Sequence, residues 1–147
     1  MTKLEREIHI DAEPQVVYDT LMDPDCLGDW VTIQDELLEA PDGDLEKGDE
    51  LVQRMKIAGR KFKLRWKVEQ ADPPHKTVWR GRGPLGSKAL VTYDLAANEG
   101  GTDFTYTNEY SLPGGPVGKL AGRAVVGASG AEADKTLKRL KKLIEKG

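Results

Sequence analysis

Gly81, Gly83 and Gly86 stand at the spacing of a phosphate-binding glycine loop, in the run Gly81-Arg82-Gly83-Pro84-Leu85-Gly86. That chemistry needs a strand passing directly into a helix whose first N–H groups meet the pyrophosphate. Here alternating, strand-like residues lie on both sides, so the glycines read as a turn. Histidine and cysteine offer no better start. His9, Cys26 and His75 lie far apart and show no metal-ligand spacing, so neither a metal nor a cofactor is expected. A nucleophilic Cys26 would need a base beside it, and its place between two short helical segments reads as packing. His9 falls on the more polar side of the first strand, and His75 in a solvated prolyl turn. No catalytic residue can be assigned from these groups.

A different set of side chains shares one period. In Lys61-Phe62-Lys63-Leu64-Arg65-Trp66-Lys67-Val68 every second residue is cationic and the others are apolar. Successive strand residues point to opposite faces, so Phe62, Leu64, Trp66 and Val68 share a buried surface while the cations face water. The same alternation groups Leu51, Gln53, Met55 and Ile57, then Val91, Tyr93 and Leu95, then Phe104, Tyr106, Asn108 and Tyr110. Arg80 and Arg82 share a face with Val78, which turns Trp79 inward. Gln53, Met55, Trp66, Trp79, Tyr93, Tyr106, Asn108 and Tyr110 therefore form the candidate binding surface. An unpartnered buried amide or phenol costs about 1–3 kcal/mol, so several on one inward face call for mutual hydrogen bonds, ordered water or a ligand.

These residues need a wall opposite them. Reading back from Ile144, the positions Leu140, Leu137, Ala133, Gly130, Val126 and Gly122 recur at helical spacing, which predicts a long helix from about Pro116 to Glu145. Its stripe is large at the C-terminal end and small towards Gly122 and Val126, which join the candidate binding residues. Gly118, Gly122, Gly127 and Gly130 crowd one stretch, although glycine inside a helix costs roughly 0.5–1 kcal/mol relative to alanine. Ligand volume, close packing or a flexible gate would each offset that cost. Lys135, Lys138, Arg139, Lys142 and Lys146 lie on the other face as a solvated surface.

The elements between follow from the turns. Leu4 to Ile10 reads as a strand. A helix capped by Asp11, with Pro14 in its first turn and Val17 and Leu21 on its apolar stripe, ends at Asp23-Pro24. A second short helix runs towards Trp30. From about Ile33 to Leu112 a meander of strands is broken at Pro41-Asp42-Gly43-Asp44, Ala58-Gly59-Arg60, Asp72-Pro73-Pro74, Gly83-Pro84-Leu85-Gly86 and Asn98-Glu99-Gly100-Gly101.

The totals set the class. A chain of 147 residues is one domain's length, expected to span residues 1–147. With 22 basic and 25 acidic residues the net charge is -3, so no overall positive field favours nucleic acid. No apolar run is long enough for a membrane span. A single cysteine and no recognisable leader lead us to expect a cytoplasmic location. Oligomeric state is not encoded in any feature of the sequence.

Three stretches then resemble the polyketide cyclase/dehydrase and lipid-transfer (START-like, SRPBCC) superfamily. They are the opening from Ile10 to Trp30, the Gly100-Gly101-Thr102 turn leading into Phe104-Thr105-Tyr106, and the lead-in Tyr110-Ser111-Leu112-Pro113-Gly114-Gly115-Pro116 to the closing helix, whose end is Leu137-Lys138-Arg139-Leu140-Lys141. The resemblance implies an α+β helix-grip fold, a curved antiparallel sheet of about seven strands around a long C-terminal helix, with two short helices after the first strand. It implies binding or carriage of a small hydrophobic or aromatic molecule, lipid or polyketide-like, in an internal cavity. A polyketide cyclase or dehydrase acting on a bound poly-ketone is the alternative. A further alternative is an accessory interaction protein similar to the one that serves carbon monoxide dehydrogenase. Fold alone does not choose among these, because the matched stretches are turns, a cap and a helix lead-in.

Overall fold

The computed structural model describes residues 2–57, 59–111 and 116–146, with side chains described for 3–56, 59–111 and 130–146. Strand β1 (Thr2–Ile10) is followed by helix α1 (Pro14–Leu21), a 3-10 turn at Pro24–Cys26 and the one-turn helix α2 (Leu27–Trp30). Six further strands follow as β2 (Gln34–Glu39), β3 (Glu50–Ile57), β4 (Arg60–Asp72), β5 (Lys76–Arg82), β6 (Lys88–Asn98) and β7 (Gly101–Ser111). Helix α3 (Pro116–Lys146) closes the chain.

The strands form one antiparallel sheet in the order β1-β7-β6-β5-β4-β3-β2. Consecutive strands pair as a meander from β2 to β7, and β1 returns to pair with β7 from Thr2↔Tyr110 to Ile10↔Thr102. Register shifts interrupt β2–β3 and the β4–β5 pair between Val68 and Gln70. Such bulges bend a strand and increase its twist, which curves the sheet. Gly101 opens β7 where backbones close up, since a Cβ there would lie 2.5 Å from the Ile10 carbonyl oxygen. Beside it Thr102 donates to the Ala12 carbonyl at 2.7 Å, tying the start of the helical segment to the sheet.

The short helices follow their sequence signals with one correction. Pro14 sits at the start of α1, and Val17, Tyr18 and Leu21 form its buried stripe. Asp11 does not cap it. Glu13 occupies the cap position without a side-chain cap bond, and the Asp11 amide instead donates to Glu145 at 2.9 Å. Asp23 ends the helix and caps the next turn by accepting from the Asp25 amide.

On α3, Ala133, Leu137, Leu140 and Ile144 are buried, and Lys135, Lys138, Arg139, Lys142 and Lys146 are exposed, which is the division that the helical period predicts. Gly130 departs from the expectation of an inward notch. A Cβ there would meet the Arg6 guanidinium at 3.2 Å, so this glycine makes room for the edge strand β1, where Arg6 also pairs with Asp134 at 2.9 Å. Among the described residues no helix is long and apolar enough to cross a membrane.

Candidate functional site

Alternation along β3 to β7 carries an aromatic cluster onto the concave face. Tyr93, on the interior strand β6, is its hub. It stacks on Phe104 at 5.6 Å and lies 5.8 Å from Tyr106, its register partner on β7, and 5.8 Å from Trp79 edge-on. Trp30 reaches the same ring from α2 at 6.2 Å. Trp79 in turn meets Trp66 at 6.3 Å. Trp79 is 2 % exposed, in keeping with the inward orientation predicted from its flanking arginines. Edge-on and offset rings of this kind are worth about 0.5–1.5 kcal/mol per pair beyond the area they bury.

Trp66 lies where it does because its register partner is Gly81, at which a Cβ would come within 2.7 Å of the indole. The glycine run that imitates a phosphate loop thus has a packing role. Its last four residues, Gly83 to Gly86, lie between β5 and β6, strand on either side, as the turn reading requires.

Polar atoms in the cluster are mostly tied to one another. Trp66 donates to Gln53 Oε1 at 2.8 Å, and Gln53 donates onward to Gln34 Oε1 at 2.6 Å. Trp79 donates to Thr77 Oγ1 at 2.9 Å, and that hydroxyl donates to the Gln70 carbonyl. Asn108 hydrogen-bonds the Tyr106 hydroxyl. Among the described residues two buried side-chain atoms have no partner, Trp30 Nε1 and Asn108 Oδ1. The Asn108 bond to Tyr106 therefore runs from the amide nitrogen.

Between this face and α3 lies a cavity of about 150 Å³. Gln53, Met55, Trp66 and Trp79 line it from β3, β4 and β5, while Tyr93, Tyr106, Asn108 and Tyr110 line it from β6 and β7. Ala133 and Leu137 form the α3 side. Gly122 and Val126, which the sequence places in the same wall, lie outside the residues whose side chains are described.

Several lining residues escape sequence reasoning. Leu27, Trp30 and Val31 reach the cavity from α2 and the loop after it, and Leu4 reaches it from β1. The sequence marks Trp30 as the end of a short helix but carries no sign that this helix folds under the sheet. Glu132, Thr136 and Lys88 also border the space. Thr32 donates to Glu132 Oε2 at 2.6 Å, and its amide donates to Thr136 Oγ1 at 3.1 Å. These bonds clasp the α2–β2 loop to the helix at the rim.

Burial decides the protonation of the phenols. It raises Tyr93 well above the ordinary tyrosine range and pushes Tyr106 up to about 12, with the Asn108 hydrogen bond opposing. Both are neutral hydroxyls near neutral pH, suited to hydrogen bonding and unsuited to acting as bases. Burial and the neighbouring Asp23 push the Cys26 thiol up to about 11, which removes the thiolate a nucleophile would need. His75 is exposed, and His9 faces Asp103 on the outer side of the β1–β7 pair at 2.8 Å. Neither histidine is among the residues around the cavity.

A curved seven-stranded sheet gripping a C-terminal helix across an aromatic-lined cavity defines a helix-grip protein. The sequence profile of the polyketide cyclase/dehydrase and lipid transport family matches residues 1–145, and the chain belongs to that family. It is 28 % identical over 145 residues to an uncharacterized protein of Mycobacterium tuberculosis, covering 97 % of this chain and 99 % of that one. A crystal structure from Thermus thermophilus superposes with a TM-score of 0.77 at 19 % identity, over 97 % of each chain. A protein of the dynemicin biosynthetic locus superposes with a TM-score of 0.68 at 19 % identity, over 97 % of this chain and 47 % of that one. At these identities the structural likenesses speak to the fold.

Proposed function

We propose that this protein binds or carries a small hydrophobic or aromatic molecule in the cavity between the sheet and α3. The observation that carries this reading is the cavity itself, about 150 Å³ bounded by aromatic and aliphatic side chains from six strands and by Ala133 and Leu137 of the helix. Interiors normally pack without voids of that size, so the space is kept at a cost in stability that a guest would offset. Burial of apolar surface supplies affinity at roughly 25 cal/mol per Å², and the few inward polar groups supply orientation. The family's association with lipid transport and polyketide chemistry points the same way.

Trp30, Trp66 and Trp79 make the reading measurable. A panel of lipids and aromatic polyketide mimics, titrated while intrinsic fluorescence and thermal unfolding are followed, should include compounds that shift both. A panel that moves neither signal, with no compound retained in native mass spectrometry, overturns the reading.

Glu132 at the rim favours a second reading, a cyclase or dehydrase in which this carboxylate moves a proton on a poly-ketone held against Tyr93 and Tyr106. Product analysis with a poly-ketone mimic, comparing wild type with Glu132→Gln, Tyr93→Phe and Tyr106→Phe, decides it. Equal product from all four proteins removes these groups from any such chemistry. An accessory role on a larger enzyme has less support. The exposed large apolar side chains described are Val16 on α1 and Leu85 in the β5–β6 turn, separate residues that make no broad docking patch.

A further inference from the structure

Resting on the binding reading above, we infer that the guest is a small uncharged ring compound carrying both a hydrogen-bond acceptor, met by Trp30 Nε1, and a hydrogen-bond donor, met by Asn108 Oδ1. Size comes first. An apolar cavity of about 150 Å³ takes up a single benzene ring, so the space suits a molecule of about one or two rings rather than an extended acyl chain.

Polarity comes from the two unpartnered atoms. Trp30 is 1 % exposed, and its Nε1 is a donor with nothing to give to. Asn108 spends its amide nitrogen on the Tyr106 hydroxyl, which leaves its carbonyl oxygen unpaired. Trp30 and Asn108 both border the cavity. Tyr106 and Asn108 are two residues apart on β7 and so share its inward face. The unpaired Asn108 C=O is an acceptor that one hydroxyl or carboxamide can satisfy. Among the other inward polar groups, the Trp66 indole is committed to Gln53, Gln53 to Gln34, and the Trp79 indole to Thr77.

Charge is disfavoured by the same inventory. Glu132 is held by Thr32, and Lys88 is exposed at the rim, so among the described residues no fixed charge stands inside to compensate an ionised guest.

The test uses the intact protein with toluene, benzyl alcohol, benzamide, benzoate and palmitate, each titrated by calorimetry and tryptophan fluorescence. Benzyl alcohol and benzamide should bind at least about tenfold more tightly than toluene, because a buried group left unpaired penalises the guest that cannot reach it. Benzoate should bind more weakly than benzamide. Asn108→Leu should bring the benzamide-to-toluene ratio close to one while toluene binding persists, and Trp30→Phe should reduce the ratio in the same direction. Should Trp30→Phe not fold, the wild-type panel and Asn108→Leu decide alone. Toluene binding as well as benzamide overturns the assignment of the two atoms and leaves the binding reading standing. Palmitate binding with no small ring bound overturns the ligand class alone. Binding of nothing on the panel or on the broader lipid and polyketide set overturns both.

Discussion

At the scale of single residues, contacts rather than chemical type decide what each side chain does. Gly81 shows this most sharply, since the Trp66 ring occupies the place of a missing Cβ. Gly81→Ala is expected to destabilise the fold by about 1–3 kcal/mol through overpacking, read as a lower denaturation midpoint together with a shifted tryptophan emission. Gln53 joins Trp66 to Gln34 through two hydrogen bonds. Gln53→Leu strands a buried donor on Trp66 and is expected to cost about 1–3 kcal/mol, whereas the same change at a solvent-facing strand position costs little. Cys26, with its thiol pushed up to about 11, should react slowly with iodoacetamide at neutral pH and faster as alkali is added. Rapid alkylation of the folded protein at pH 7 would contradict that environment.

Among elements, the first strand has the most to hold, because β1 must join the far end of a sheet built from the rest of the chain. His9 accomplishes part of this outside the cavity. The Asp103 carboxylate hydrogen-bonded to Nδ1 raises the His9 pKa above 6.5, and the Asp103 pKa is lowered below 3.8 by His9 and by Asn98. Asp11 faces the other ring nitrogen at 3.3 Å, and Lys141 opposes the shift while donating to the His9 carbonyl at 2.7 Å. A raised histidine pKa gives stability that is complete below 6.5 and lost as pH rises through the folded value. The lowered Asp103 pKa gives stability that is present above 3.8 and lost as pH falls through the folded value. Both contributions are therefore in place between about pH 4 and 6.5. Urea midpoints of wild type and His9→Gln should differ most in that window and converge towards pH 8. A constant difference across the range would show that the pair does not titrate with folding. The Thr32 clasp belongs to this scale too, since it ties the loop after α2 to α3 through two bonds that neither element makes alone.

For the whole molecule, the consequence is a space that sheet and helix border without filling. Ala133, 8 % exposed, borders it from α3. Ala133→Leu projects into that volume, and the expected outcome is a gain of about 0.5–2 kcal/mol in stability with ring-compound binding abolished. A loss of both would mean that the wall at Ala133 cannot accept the added volume. How much of this could be read without coordinates depends on the range of the interaction. Period-two alternation put Trp66, Tyr93, Tyr106 and Asn108 on one face, and the 4-3-4 spacing of Ala133, Leu137, Leu140 and Ile144 gave the helix its buried stripe, because both patterns follow from local backbone geometry. The turn at Gly83-Pro84-Leu85-Gly86 and the solvated cations of β4 were legible for the same reason. What tertiary structure alone decided is the meeting of parts remote in the chain. That Trp30 comes from a one-turn helix to touch Tyr93, that Thr32 reaches Glu132, that Gly130 faces Arg6 and not the cavity, and that Trp30 Nε1 and Asn108 Oδ1 are left without partners all depend on how sheet curvature and the path of α3 combine. Residue type states which hydrogen bonds a group can make, but only the packed chain determines which remain unmade.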